Sequence, residues 1–369
     1  MRTLLIVRGL AIIAVVLGHA IGWVYLGQSW WLDSQGAIAA ASFADQVGSP
    51  SYHVLYAVVQ LSLFDVPAFL FASGFFISYA ARGGTGVSWK MTKRWIGVLF
   101  WPFVIWVTVL VGASWLPLIL FSRKEFPPLA SEFAGAIRIA YFVPLVCQFY
   151  LFAPLIARLA KSRGRWLLLG AGLLQLGTMG LWYSQRLGII HMGGNVRTFL
   201  QASEFFFWKW SIYFPLGAVC GFNFKQIRAW LVKYKMVLLA VVIVLAILSV
   251  VEMETLGRSG QHLQPTHYTA SAVGYSVAII LLFLAIGERW IPWRSRVSDM
   301  GTKSLGVYLS HTSVLVTVAR AVYHTFPSMM FQPVLFLTVL FALALGLPLL
   351  LGNVLSKYAR RTLYPYLFG

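Results

Sequence analysis

The chain has 369 residues, of which 59% are hydrophobic and only 11% charged, and its formal net charge at pH 7 is +19. A soluble protein of this length carries roughly 25% charged residues, so the composition excludes an ordinary soluble enzyme and indicates an integral membrane protein. Two cysteines exclude a disulfide-stabilised scaffold, and the seven histidines are scattered along the chain, so we expect no metal site.

Apolar segments long enough to cross a membrane occur along the whole chain. A hydrocarbon core about 30 Å thick needs about 20 apolar residues in a helix. The sequence therefore predicts an all-α, polytopic membrane protein, a single transmembrane domain over residues 1–369 with no appended soluble domain. The ten predicted spans are residues 4–26, 53–80, 95–121, 140–160, 166–184, 206–223, 236–253, 268–287, 303–325 and 332–356.

The basic residues cluster in the segments between these spans. With ten spans both termini lie on one side, which then holds 20 of the 29 Lys and Arg; eight fall on the other side, and Arg8 lies within the first span. Because cytoplasmic segments carry the excess of Lys and Arg, this asymmetry predicts that both termini are cytoplasmic. Topology and attraction to anionic membrane lipids explain the positive charge, so no nucleic-acid partner is expected.

Ionisable side chains inside membrane spans are costly, which makes each of them a functional candidate. The first span reads "RGLAIIAVVLGHA" and places Arg8 and His19 eleven residues apart. Eleven residues are almost three helical turns, so the two side chains share one face and are about 16 Å apart along the axis. A structural role is the alternative for each residue: Arg8 would extend to the lipid headgroups, and His19 would be a hydrogen-bonded packing residue.

The second span contains Asp65 at about the same predicted depth as His19, about 22 Å from the cytoplasmic end. We therefore predict that Asp65 orients or charges His19, as a carboxylate does behind a catalytic histidine. A structural pair, or a position of Asp65 nearer to outer water, is the alternative. Pro67 and Gly74 predict a bend that frees backbone groups near Ser73, although small residues also simply allow close helix packing.

The ninth span contains Ser304, Tyr308 and His311 at spacings of four and three residues, which places them in one polar stripe. Ser and Tyr at such positions also serve to bond a neighbouring helix, so His311 is the stronger functional candidate. Arg320 follows further along the same span.

Together these patterns resemble the membrane-bound acyltransferase 3 family. Besides the Arg8–His19 pattern, three stretches carry the resemblance: "VPAFLFASGFF" with Ser73, Gly74 and Phe75; "YFVPLVCQFYLFAPLI" with Gln148, Tyr150 and Pro154; and "MGTKSLGVYLSH" with Gly301, Ser304, Tyr308 and His311. The chain departs from the family at Gly97, where an arginine is frequent, and at Asp65, where a small or polar residue is more frequent.

The resemblance implies acyl transfer from a cytoplasmic acyl-CoA, by default acetyl-CoA, to a hydroxyl of an extracytoplasmic or lipid-linked glycan, in a bacterial inner or plasma membrane. It implies His19 as the general base, Arg8 with Lys93 and Arg94 as donor-binding cations, and no permanently bound cofactor. Ser73, Ser304, Tyr308 and His311 are then expected to line the passage or to donate hydrogen bonds to the donor. Direct transfer and a covalent acyl-enzyme both stay open, as do the acyl chain and the oligomeric state.

A transporter that exports a polysaccharide or sugar is the alternative from another class, because polar groups along one helix face also line permeation paths. Paired interrupted segments related by internal symmetry would favour that alternative, and the sequence contains no recognisable pair. A membrane sensor or scaffold without chemistry is a further alternative.

Overall fold

The computed structural model describes residues 2–35, 49–82, 86–120, 128–190, 193, 202–258, 265–287 and 291–369, and no strand occurs among them. The α-helices in these ranges are α1 Arg2–Gln35, α2 Pro50–Ser62, α3 Asp65–Ala80, α4 Trp89–Leu120, α5 Leu129–Ile139, α6 Phe142–Ser162, α7 Gly164–Arg186, α8 Tyr213–Phe222, α9 Phe224–Lys233, α10 Lys235–Arg258, α11 Ala270–Ile286, α12 Arg294–Thr302, α13 Ser304–Thr325, α14 Pro333–Tyr358 and α15 Tyr364–Phe368.

Within the described ranges, seven helical segments are long and apolar enough to cross a membrane, and α8 and α11 are shorter apolar helices. The seven are Arg2–Ser29, Pro50–Ala80, Trp89–Trp115, Phe142–Ser162, Lys235–Gly257, Ser304–Thr325 and Pro333–Tyr358. The chain is thus an all-α, polytopic membrane protein, as predicted. Each of the ten predicted spans overlaps one of the helices named above.

The predicted span 53–80 is interrupted between α2 and α3, at Leu63 and Phe64. Pro67 causes the interruption, because proline has no N–H to bond the carbonyl four residues earlier and its ring clashes with that carbonyl. The helix resumes at once, with Ala68 N–H donating to Phe64 O at 2.8 Å. The predicted bend near Ser73 is wrong: α3 is continuous there, and the Ser73 hydroxyl donates to Phe69 O at 2.9 Å.

Gly74 serves close packing between α3 and α8. A Cβ atom at Gly74 would lie 2.1 Å from Phe214 O, and one at Gly217 would lie 2.0 Å from Phe71 O. Neither contact leaves room for a side chain, so the two glycines bring the backbones together, as small residues do in membrane helices.

A second pair of glycines joins α1 to α12. A Cβ atom at Gly9 would lie 2.0 Å from Val297 O, and one at Gly301 would lie 1.8 Å from Leu5 O. Since α13 begins three residues after Gly301, this crossing places the first residues of α13 beside the first turns of α1. α1 also packs against α3 and α14.

Two short 3₁₀ turns, Ala202–Phe205 and Phe207–Trp210, precede α8, which is therefore shorter than the predicted span 206–223. Glutamine side chains hold these turns: Gln148 Nε2 donates to Phe205 O at 2.5 Å, and Gln175 Nε2 donates to Lys209 O at 2.7 Å. The side-chain amides satisfy carbonyls that an uninterrupted helix would have satisfied itself.

Candidate active site

A cavity of about 520 Å³ lies between α1, α3, α4, α6 and α13, and we call it the Arg8 cavity. Four predicted site residues line it: Arg8, Ser73, Ser304 and Tyr308. The guanidinium of Arg8 donates to Ser304 Oγ at 2.8 Å. The remaining walls are mostly apolar and aromatic: Leu5, Phe69, Phe76, Ile77, Ala80, Trp95, Leu99, Phe142, Val146, Tyr150 and Leu305. The cavity therefore combines one cation with a long apolar surface.

Tyr150 lines the Arg8 cavity although it was not among the predicted site residues. Its hydroxyl interacts with Ser73, and it lies within electrostatic range of Arg8. The sequence did contain an indication of this role, because Tyr150 belongs to the α6 stretch that carries the family resemblance.

A second cavity of about 260 Å³ lies further along α1, and we call it the His19 cavity. Its lining consists of Gly18, His19, Gly22, Trp23, Leu26, Ile139 and Thr312. A Cβ atom at Gly22 would meet nothing within 4 Å, so this side of α1 is open beside His19.

His19 and His311 form a hydrogen-bonded pair across the α1–α13 interface. His311 Nε2 lies 2.9 Å from His19 Nδ1, and the ring centroids are 5.0 Å apart. The other ring nitrogen of His311, Nδ1, lies 3.1 Å from Val307 O. The hydroxyl of Thr312 lies 3.3 Å from His311 Nε2. His311 is 1% exposed, so its partners are protein groups rather than bulk water.

Tyr308 and the histidine pair separate the two cavities. The Tyr308 hydroxyl donates to Ile139 O at 3.3 Å and accepts from Phe142 N–H at 3.3 Å. Tyr308 lines the Arg8 cavity, whereas Ile139 lines the His19 cavity. On α13 the order along the helix is Ser304 and Tyr308 at the first cavity, then His311, then Thr312 at the second.

The predicted Asp65–His19 pair does not form. Asp65 is the first residue of α3, where its carboxylate accepts from Val66 N–H at 2.5 Å. A helix N-terminus has unpaired N–H groups and a positive dipole end, which is a favourable place for a buried carboxylate. Both residues lie in described ranges, where the ring partner of His19 is His311.

Lys93 and Arg94 are exposed on the first turns of α4 and do not line the Arg8 cavity, although Trp95, the next residue, does. Arg320 donates to the Ser114 carbonyl on α4 and lines neither cavity.

His267 satisfies the backbone at the α2–α3 interruption. Its Nδ1 lies 3.0 Å from Leu63 O, the carbonyl that Pro67 leaves without a helical donor. Burial lowers the pKa of His267 to about 4, a net value that includes a rise from the hydrogen bond to Leu63 O and a smaller lowering by the nearby His19. His267 is thus neutral at pH 7, and its Nδ1–H donates to Leu63 O. The sequence pattern around His267 contained no sign of this role.

Comparison with known proteins places the chain in a family. The family model described as an acyltransferase domain of the acyltransferase 3 type matches residues 4–353. The Bacillus subtilis (strain 168) protein named "Putative membrane-bound acyltransferase YfiQ" is 24% identical over 375 residues, covering 100% of this chain and 93% of its own length. No solved structure matches the chain.

Proposed function

The chain belongs to the acyltransferase 3 family, and from that membership we propose that it transfers an acyl group from an acyl-CoA thioester to a hydroxyl of a glycan or lipid-linked sugar across the membrane. The observation that carries the proposal is the pair of cavities on either side of the His19–His311 pair. Such an arrangement suits a donor and an acceptor that arrive from opposite faces and meet at one histidine.

The Arg8 cavity is assigned to the donor. Its apolar walls suit the acyl end and the arm that carries it, and the guanidinium of Arg8 offers donor groups beyond the one used on Ser304. Lys93 and Arg94 are assigned to the phosphates of the donor, outside the cavity, because charge-assisted hydrogen bonds bind phosphate strongly.

The His19 cavity is assigned to the acceptor. The Trp23 ring and the open surface at Gly22 lie beside His19 and suit the flat face of a sugar ring. His19 takes the proton of the acceptor hydroxyl, whose oxygen attacks the thioester carbonyl carbon. The C–S bond then breaks, the new ester leaves, and the proton passes from His19 to the sulfur of coenzyme A. We assign Arg8 to binding the donor within the Arg8 cavity, away from the carbon that is attacked.

Asp65 is assigned to positioning α3 rather than to proton transfer. Its carboxylate is engaged by Val66 N–H, and the His19 ring already has a hydrogen-bond partner in His311.

The test uses purified protein with radiolabelled acetyl-CoA and a saccharide acceptor. We expect coenzyme A release that depends on the acceptor and label in an ester bond on the saccharide. His19→Ala should lower turnover by about 10²- to 10⁴-fold, the usual contribution of a general base. His53→Gln is the matched control, because His53 pairs with Glu254 outside both cavities, and it should retain full turnover. Saccharide movement through vesicles without label transfer would contradict the proposal and indicate an exporter.

A further inference from the structure

We infer that His311 is the positioning residue and proton partner of His19, fixing which nitrogen of His19 is free to act as the base and sharing the proton that His19 takes up. The inference rests on the proposed function and adds a role for the buried histidine of α13. It is carried by the order of hydrogen bonds from Val307 through His311 to His19.

The backbone fixes the proton on His311. A carbonyl oxygen can only accept a hydrogen bond, so His311 Nδ1, 3.1 Å from Val307 O, must carry its hydrogen. A neutral imidazole has one N–H, which leaves Nε2 of His311 as an acceptor with one lone pair.

His311 in turn fixes the tautomer of His19. Because His311 Nε2 can only accept in the neutral pair, the 2.9 Å contact requires His19 Nδ1 to carry the hydrogen. The remaining nitrogen of His19, Nε2, then holds its lone pair on the ring that lines the His19 cavity. This is the nitrogen that a general base needs, presented to the cavity assigned to the acceptor.

The same chain of hydrogen bonds stabilises the protonated state. When Nε2 of His19 removes the acceptor proton, the positive charge forms next to a neutral imidazole that already accepts from Nδ1–H. The Nδ1 proton can move to His311 Nε2, where the second imidazole becomes the cation and Val307 O still accepts from its Nδ1–H. The proton returns along the same bond before His19 Nε2–H protonates the departing sulfur, so no proton is gained or lost.

Other ionisable groups surround the pair without replacing this contact. Tyr308 lies one turn away, with a ring centroid 6.0 Å from that of His311, and its hydroxyl is used on Ile139 and Phe142. Arg8 lies eleven residues before His19 on α1 and bonds Ser304. Asp65 at the start of α3 and His267 before α11 bond Val66 N–H and Leu63 O respectively.

The test compares His311→Leu, His311→Gln and Ser310→Ala by steady-state kinetics with labelled acetyl-CoA and acceptor. Leucine removes the acceptor, so kcat should fall by about 10²- to 10⁴-fold while KM for acetyl-CoA stays within about threefold. The Oε1 atom of glutamine can accept from His19 Nδ1–H, so His311→Gln should recover at least about tenfold of that loss. Ser310 is buried on the same helix and bonds Gly306 O at 2.7 Å, so Ser310→Ala is the matched control and should resemble the wild type.

A second measurement reads the tautomer directly in the wild-type protein. Nitrogen-15 NMR of histidine-labelled protein in lipid, with the His19 signals assigned by their loss in His19→Ala, should show a protonated Nδ1 and an unprotonated Nε2. A His19 ring protonated at Nε2 would overturn the inference, and so would equal losses of kcat in His311→Leu and His311→Gln. If wild-type protein transfers no label, the proposed function fails, and the NMR tautomer still decides the inference about the pair.

Discussion

Arg8 and His19 occupy one face of α1, and a side chain of α13 holds each of them: Ser304 bonds the guanidinium, and His311 bonds the imidazole. Ser304 and His311 are seven residues apart, about two helical turns, so they too lie on one face of their helix. Two matched stripes therefore define the site, one on each helix.

Ser304→Ala tests the inner end of these stripes. Loss of the hydroxyl leaves Arg8 without the partner that orients it, and a hydrogen bond to a charged group contributes about 1.5–3 kcal/mol. We expect KM for acetyl-CoA to rise by about tenfold or more, with a smaller change in kcat. An unchanged KM in steady-state assays, with Ser310→Ala as the control, would remove Arg8 from the donor site.

Asp65→Asn tests the role assigned to the buried acid. The Asn side-chain oxygen can still accept from Val66 N–H, and His19 keeps its bond to His311, so turnover should stay within about threefold of wild type. A loss of turnover of about 100-fold or more would contradict this and indicate that Asp65 acts with His19 in proton transfer.

Residue spacing along one helix correctly predicted which side chains share a face. Membrane depth, compared between residues of different helices, did not predict which side chains pair. The spacing of eleven positions from Arg8 to His19 correctly places them on one face, and the spacing of Ser304, Tyr308 and His311 correctly predicts a polar stripe. The predicted partner of His19 was wrong because depth was counted from predicted helix ends, which placed Asp65 level with His19. The Gly9–Gly301 crossing sets the true offset between α1 and α13, and no sequence spacing contains it.

At the scale of elements, glycine crossings and one proline determine where the site residues sit. Sequence patterns found the helices, since each predicted span overlaps one, but misplaced the break in the second span. The reason is that Pro67 removes the helical hydrogen bond to the carbonyl four residues before it, at Leu63. The helix after Pro67 is unaffected. The contact of His267 with Leu63 is long-range in sequence and had no local signal.

Gly301→Ala tests the α1–α12 crossing. The added Cβ would lie 1.8 Å from Leu5 O, so the helices must separate, at a cost of about 1–3 kcal/mol, and Ser304 must move away from Arg8. The thermal midpoint of the detergent-solubilised protein should fall. Gly346→Ala is the control, because its Cβ meets nothing within 4 Å, and it should leave stability equal or higher. Equal midpoints in the two variants would show that the crossing tolerates separation.

His267→Gln tests the polar contact at the helix interruption. Because burial lowers the pKa of His267 from 6.5 to about 4, the unfolded chain binds more protons than the folded chain between these values. The contribution of His267 to the free energy of unfolding should therefore be fully present above pH 6.5 and decline as the pH falls towards 4. Thermal unfolding across this range should show a smaller decline in His267→Gln than in wild type. Identical declines would mean that His267 is not held neutral.

At the scale of the whole molecule, α1 connects two cavities of unequal size and chemistry. The larger contains Arg8 among apolar walls, and the smaller contains His19, Trp23 and Thr312. The excess of Lys and Arg predicts that the Arg8 end faces the cytoplasm, which is where acyl-CoA is made available. The composition, the spans and this charge asymmetry could be read from the sequence, whereas the cavities depend on contacts between distant helices.

The most direct measurement uses sealed vesicles with the protein in the membrane, labelled acetyl-CoA outside and the saccharide acceptor only in the lumen. We expect label esterified to the luminal saccharide in intact vesicles, lost with His19→Ala and retained with His53→Gln. Label that reaches the saccharide only after detergent opens the vesicles, or only when donor and acceptor share one side, would contradict transfer across the membrane through the two cavities.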